Sequence, residues 1–351
     1  MLKKRCIHIL GLSLIVACGQ ALADTARPVT FRTQTMGTWG SLTLVTSDSA
    51  SVADLAYRTL LAFHRVDSLF SNWTDDSEVA RINRSAAPYE IEIHPDVAEV
   101  IDFALSVSRD SDGAFDITIE PLTRLWGFIG GPPRVPSSDE IDQTLDYVGY
   151  DKLQFDREAR TIHFVRDRVG IDFGGIAKGY GVDEAAAILR EAGVEHALID
   201  LSGNMVGMGS STDGNGWMVG IRDPSGAHSY LARVQLNNEA VATSGDYEQF
   251  VDDDGKRYGH ILDPRSGWSA HGLTSVTVVA ANAMTADAWA TALFVLGPSK
   301  AREIAAQRDD LAVVLVEPQS DGLTTVWVEE QLRDRVTIPP DLEATLRVQH
   351  F

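Results

Sequence analysis

The sequence predicts an α+β fold in which mixed and antiparallel sheets are flanked by helices, and three observations lead there. Hydrophobic residues make up 44% of 351 positions, enough for a substantial core in one large domain or two of ordinary size. Strand-like runs come in clusters with helices interspersed, not in the regular alternation of a parallel α/β sheet. The connections are short, with no internal repeat, low-complexity tract or long linker between them.

The elements follow in order. Two strands, "VTFRTQTMG" and "GSLTLVT", flank a turn at Gly37 to Gly40. In "SVADLAYRTLLAFHRVDSLF", Val52, Leu55, Leu60, Phe63 and Val66 recur at mostly helical spacing, predicting an apolar stripe that packs on a sheet. "HPDVAEVIDFALSVSRDSDG" is a second helix, with Pro95 in its first turn and Gly113 after its end. "SSDEIDQTLDYVG" is a shorter third, with a serine as N-cap. "KLQFDREARTIHFV" predicts a hairpin, and "EHALIDLSGNMVGMG", "GWMVGIRDP", "YLARVQLNNEAVATSG" and "LTSVTVVAA" further strands. Between them, "AKGYGVDEAAAILREAG" and "AMTADAWATALFVLG" are helical; a helix near 298–308 and the strands "LAVVLVEP" and "TTVWVEE" close the chain.

The start, "MLKKRCIHILGLSLIVACGQALADTARP", puts three basic residues before a short apolar run and small residues, which predicts an export signal over residues 1–23. Two cleavage sites compete: "IVAC" is a loose lipobox ending at Cys18, and "ALA" at 21–23 fits ordinary cleavage. The first gives a lipid-anchored protein and the second a free one, and an uncleaved anchor is the third alternative. Residues 24–30 are expected to be a linker and 31–351 the functional domain. Cys6 and Cys18 are the two cysteines, so cleavage leaves no thiol pair for a disulfide within the chain. The formal charge is −20, more negative still without Lys3, Lys4 and Arg5; such a surface repels nucleic acid and anionic lipid. A phosphate ligand would therefore need a metal or local N–H donors.

Four stretches offer chemistry. In "MTADAWATAL", Asp287 and Thr291 lie four residues apart on one helix face, two hard oxygens suited to Mg²⁺ shared with substrate phosphates. An acid at a helix N-terminus with a back-bonded threonine gives the same pattern. In "IDFGGIAKGYGVDEA", main-chain carbonyls such as that of Ala177 offer further metal ligands, and Lys178 or turn N–H groups can meet phosphate. The glycines equally suit a tight, closely packed strand-to-helix turn. "ATSGDYEQFVDDDGKRYGHILDPRSG" gathers Ser244, Asp246, Tyr247, His260, Asp263 and Arg265 in loops, with His260 a possible general base and "DDDGK" a plain hairpin tip. In "SDGAFDITIEPLTRLWGF", Phe115 or Trp126 could stack on a flat ring, or simply join the core. Zinc-type Cys/His spacing, a G-x-S-x-G elbow and H-E-x-x-H are all absent from the sequence.

Taken together, these stretches resemble the ApbE family, the FAD:protein FMN transferases. The resemblance runs through "TMGT", "SNWTDDSEVARIN", "DGAFDITIEPLTRLWGF", "IDFGGIAKGYGVDEA", "LIDLSGNMVGMG", "VGIRDP", "ATSGDYEQ", "GHILDPRSG" and "MTADAWATALFVLG". It implies an ApbE-like, tunnelling-fold-like domain and a periplasmic enzyme, lipid-anchored or free, that moves FMN from FAD to a threonine or serine hydroxyl through a phosphoester, releasing AMP. Acceptors would be protein domains such as subunits of membrane ion-pumping or electron-transfer complexes. The resemblance also implies Mg²⁺ on the Ala177 carbonyl, Asp287 and Thr291, and FAD contacts from Met36, Gly37, Trp73, Ala114, Phe115, Asp116, Asp172, Lys178, Tyr180, His260 and Ile261. Trp73 stands where many members have tyrosine, so stacking is kept and a phenol hydroxyl is not. For the base that accepts the hydroxyl proton, His260 is the first choice and Asp246 the second. Water in place of the acceptor would give FAD hydrolysis to FMN and AMP, and loss of turnover would leave an FAD-binding protein.

Overall fold

The computed structural model describes residues 26–87, 89–319, 322–342 and 345–351, so the predicted export signal lies outside the described residues. The first half runs β1 (Arg27–Thr35), β2 (Thr38–Thr46), α1 (Ala53–Phe70), α2 (Glu78–Ser85), β3 (Ile91–Glu92), α3 (Pro95–Asp110), α4 (Glu120–Leu125), α5 (Ser138–Leu145), β4 (Leu153–Asp156), β5 (Thr161–Phe164) and α6 (Ala177–Glu191). Then follow β6 (Ala197–Leu201), β7 (Asn204–Met208), β8 (Trp217–Ile221), β9 (Ala232–Leu236), β10 (Ala240–Gly245), β11 (Phe250–Asp253), β12 (Lys256–Gly259), β13 (Ser275–Ala280) and α7 (Ala283–Ala305). Strands β14 (Leu311–Pro318), β15 (Thr324–Val328), β16 (Val336–Thr337) and β17 (Leu346–His350) complete the chain. The fold is α+β with mixed and antiparallel sheets, as the sequence predicts. β1 begins at Arg27, so residues 27–30 are strand and not linker, paired with β2 across a two-residue turn whose Met36 and Gly37 both have positive φ.

A nine-stranded sheet, ordered β1-β2-β6-β7-β10-β13-β14-β15-β17, organises the molecule; every pair in it is antiparallel except β15 with β17. Its middle strands are covered on both faces, which is why β13 (SVTVVA) and most of β14 (LAVVLVEP) read as continuous apolar runs. On one face Ala242, Val276, Val278 and Val313 pack with α7 residues such as Trp289 and Leu293. On the other, Val241, Val279, Val314 and Val326 meet Trp217, Val219 and Val234 of the small sheet β16-β9-β8. Two helix starts are capped by side chains: Ser137, a serine N-cap as expected, and Glu140 form a reciprocal capping box before α5, and Asn282 caps α7 by accepting from the Thr285 N–H. The expected helix near 298–308 is the continuation of α7 beyond a break at Gly297 (φ 75°), just before Pro298. Short elements such as α2, α4 and β17 carry too few residues for periodicity to reveal them.

Candidate active site

The site begins where α6 meets α7. Gly179 admits the contact: a Cβ there would sit 2.3 Å from the Ala283 carbonyl oxygen. Two turns are tied together across it, since Asp183 of α6 accepts from the Ala283 and Met284 N–H groups (both 2.8 Å), and Asp287 of α7 accepts from the Gly179 N–H (2.9 Å). Gly175 sits against Thr291 in the same way, with its would-be Cβ 3.0 Å from the hydroxyl. Gly175 and Gly179 of "GGIAKGYG" are therefore packing glycines, and their packing is what carries Asp287, Thr291 and the first turn of α6 to one place. The close-packing reading of that stretch describes this arrangement.

Asp287 is 5% exposed, has no salt-bridge partner among the described residues, and is pushed up from the usual carboxylate range chiefly by burial. Lys178, whose ammonium donates to the Gly174 carbonyl (3.0 Å), opposes that shift electrostatically. Thr291 shares a hydroxyl–hydroxyl hydrogen bond with Ser244 at 3.2 Å. A buried carboxylate short of positive charge, beside a hydroxyl and the start of α6 with Ala177, is a hard-oxygen set that fits a small divalent cation. No group of three His, Cys, Asp or Glu side chains suited to a metal occurs among the described residues, so a cation here would need ligands from a substrate as well.

Asp287, Thr291, Ser244 and Lys178 line a cavity of about 180 Å³ together with Ala114, Phe115, Asp116, Asp172, His260 and Ile261. A second cavity of about 390 Å³, walled by Met36, Gly37, Trp73 and Ala177 among others, shares Asp172, Lys178 and His260 with the first. The pair forms one elongated site, and Trp73, 68% exposed, stands at its mouth with its indole free to stack. Asp116 caps the turn after α3, accepting from the Thr118 N–H and hydroxyl, and burial pushes it up to about 6. The Asp172 carboxylate accepts from the Gly174 N–H (2.7 Å) and is likewise raised by burial.

His260 closes the site from the loop after β12. Burial first, and the charge of Lys178 second, push its pKa down to about 4, so the ring is neutral near pH 7. Its Nδ1 lies 3.3 Å from the Gln249 carbonyl oxygen; an N–H donated there leaves Nε2 as the basic nitrogen. The loop behind it is held by an aromatic cluster in which Trp126 packs on Phe128, Tyr258 and Trp268 and donates from Nε1 to the Gly267 carbonyl (2.9 Å). Trp126 is thus core, whereas Phe115 lines the cavity.

Two expected site residues stand elsewhere. Tyr180 does not line either cavity: two helical residues beyond Lys178 it faces the opposite way, edge-on to Phe70 and beside a separate cavity with Arg65, Asp96 and Glu184. Asp246 turns toward the β11–β12 hairpin, with its Cβ packed by Gly259 and Arg257 as its nearest opposite charge. The carboxylate that does face both cavities is Glu248, two residues on, together with Ser202, and Thr243 joins them in the first. Nothing in the sequence separates Asp246 from Glu248, because the direction of an irregular loop is set by what packs on it. The Asp263–Arg265 pair is bidentate and local (2.8 and 2.9 Å).

Fold and site together define an enzyme-like cleft for a long ligand that reaches a buried hard-oxygen cluster at one end. The ApbE family model matches residues 36–315, and the chain belongs to the ApbE family. The FAD:protein FMN transferase of Haemophilus influenzae is 34% identical over 268 residues, covering 74% of this chain and 77% of the relative. That of Salmonella typhimurium is 32% identical over 342 residues, covering 94% and 96%. Among solved structures, the flavin transferase ApbE from Vibrio cholerae matches with a TM-score of 0.79 at 28% identity, over 88% of this chain and 99% of that one. The apo flavinyl transferase ApbE of Pseudomonas stutzeri matches at 0.75 and 33%, over 86% and 95%.

Proposed function

We infer that this chain is a flavin transferase that takes FMN from FAD and attaches it to a protein, with a threonine or serine hydroxyl as the point of attachment. The observation that carries the reading is the buried Asp287, without a salt-bridge partner among the described residues, beside Thr291 and facing a neutral His260 across one cavity. The hydroxyl oxygen bonds to the FMN-side phosphorus, the pyrophosphate bond to AMP breaks, the hydroxyl proton passes to His260 Nε2, and AMP leaves. Asp287, Thr291 and the Ala177 carbonyl would hold Mg²⁺, which offsets charge on the pyrophosphate oxygens when bound. Lys178 supplies a fixed cation for the phosphates, while Trp73, Phe115 and Met36 supply the flat and apolar walls for the flavin. His260 is preferred over Asp246 as base on geometry.

The leader sequence supports export to the periplasm, with a lipid on Cys18 or cleavage after Ala23, and acceptor domains of membrane ion-pumping or electron-transfer complexes as targets. The mass of the exported chain's first peptide separates the two cleavages. The function is tested by incubating the protein with FAD and Mg²⁺, with and without a flavin-acceptor domain, and following AMP and the acceptor's mass. A gain of one FMN, abolished by EDTA or by Asp287→Ala, is expected. AMP without labelled acceptor would make the protein a hydrolase, and neither product would leave an FAD-binding protein.

A further inference from the structure

The nine-stranded sheet has a gap beside the site. β10 pairs with β7 only at Ala240 and Val241, because β7 starts at Asn204 after the turn at Ser202 and Gly203. From Ala242 to Gly245, β10 therefore has a paired strand on one side only, β13. Side chains alternate across this stretch: Ser244 reaches Thr291 on the helix face, while Thr243 pairs with Thr277 (2.8 Å) on the face of the small sheet.

On that second face lies a further cavity of about 270 Å³, between the two sheets, walled by Met205, Val219, Ile221, Arg222 and Tyr247 among others. It shares Ser202, Thr243 and Glu248 with the catalytic cavity, so the two meet around the gap. One wall is β8, the edge strand of the small sheet, with no strand on its outer side among the described residues. Edge strands are ordinarily guarded by charge or proline, as β1 is by Arg27, Pro28 and Arg32. β8, WMVGI, has neither. Trp217 anchors its start by donating from Nε1 to the Met208 carbonyl (2.7 Å), and Val219 to Arg222 open onto the cavity. Arg222 lies over the Tyr247 ring at 5.2 Å and has no carboxylate partner among the described residues.

We propose that the hydroxyl-bearing segment of the acceptor protein lies extended along the free edge of β8 and presents its hydroxyl through the gap beside β10. The proposal rests on the transferase reading above. In-line displacement requires the attacking oxygen to approach opposite the leaving AMP, and a site entered from two faces of a sheet provides that separation. FAD takes the helix-side cavities. The acceptor adds to β8 by main-chain hydrogen bonds, which suits an enzyme that must read a short stretch of chain on a folded partner. Arg222 gives that stretch a cation for its carbonyl or carboxylate oxygens.

The test uses the full chain, FAD, Mg²⁺ and the acceptor domain that takes the label. Met205→Trp fills the cavity and Arg222→Glu reverses its cation, each away from the FAD cavities. Both should raise the acceptor KM, roughly tenfold for Met205→Trp and less for Arg222→Glu, with FAD affinity and acceptor-independent AMP release unchanged. Adding acceptor to the FAD-bound protein should slow amide hydrogen exchange over residues 217–222. Labelling with unchanged acceptor KM in both variants overturns the proposal alone, as does a matching loss of FAD affinity in folded Arg222→Glu, which would assign the cavity to FAD. A wild-type chain that binds FAD and labels no acceptor overturns the transferase reading as well.

Discussion

The two walls of the site are built by different means. The α6–α7 wall, carrying Asp287, Thr291 and Lys178, is fixed by direct helix contact, with backbone N–H groups of each helix bound by a carboxylate of the other. The facing wall, carrying His260 and Glu248, is irregular loop beside a small hairpin, held through the Trp126 cluster and through main-chain bonds such as His260 to Gln249 (3.0 Å). The difference suits the proposed tasks: a cation site with few protein ligands would need its oxygens placed without slack, whereas a wall beside an incoming protein would have to accommodate one.

Breaking the first wall has the largest expected effect. Gly179→Ala puts a methyl group where the Ala283 carbonyl stands, so the helices must part and Asp287 and Thr291 of α7 move away from Ala177 and Lys178 of α6. Transfer should fall by about a hundredfold, with a stability loss of about 1–3 kcal/mol, read from AMP release and from denaturant unfolding. If Gly179→Ala were fully active, the contact would not be what positions Asp287. Trp126→Ala attacks the second wall. It should cost about 3–5 kcal/mol of stability as a buried aromatic, and FAD binding by the helix-side residues should weaken less than acceptor labelling does.

Lys178 touches both walls electrostatically, and Lys178→Met sharpens the comparison. His260 lies low, near 4, through burial and then through Lys178; removing the cation raises it, and raises Asp287 too. With His260 as the proposed base, neutral when it acts, and Asp287 ionised, both shifts should move the acid limb of kcat/KM upward. Burial still holds His260 below 6.5, so the limb should stay on the acid side of neutrality in a pH–rate profile. The smallest effect is at Asp183, raised to about 6 by burial against the pull of its two N–H donors. The native protein there keeps a proton that the unfolded chain releases near 3.8, so this group's contribution to stability declines as pH rises from about 4 to 6 and is level above. Asp183→Asn should flatten that part of the Tm–pH curve.

The long elements were legible because their faces are. α1 and α3 announce themselves by 3.6-residue spacing, and β13 and β14 by apolar runs that only a strand buried on both faces can use. The helical pair Asp287/Thr291 was legible too, since four residues on a helix fix a common face. The resemblance groups Tyr180 with Lys178, but two steps along α6 reverse the direction of a side chain, and Tyr180 packs edge-on to Phe70. The sequence by itself determined the α+β class, the acidic surface, the segments that build the site and the donor types within it, all of which follow from local periodicity and residue chemistry. Only the tertiary structure decided that Gly179 is the hinge of the two-helix contact, that Glu248 and not Asp246 faces the cavity, and that a gap in the sheet joins two cavities. Those depend on register and on packing between residues about a hundred positions apart, such as Gly179 and Asp287, and no local pattern in the chain records which of them will touch.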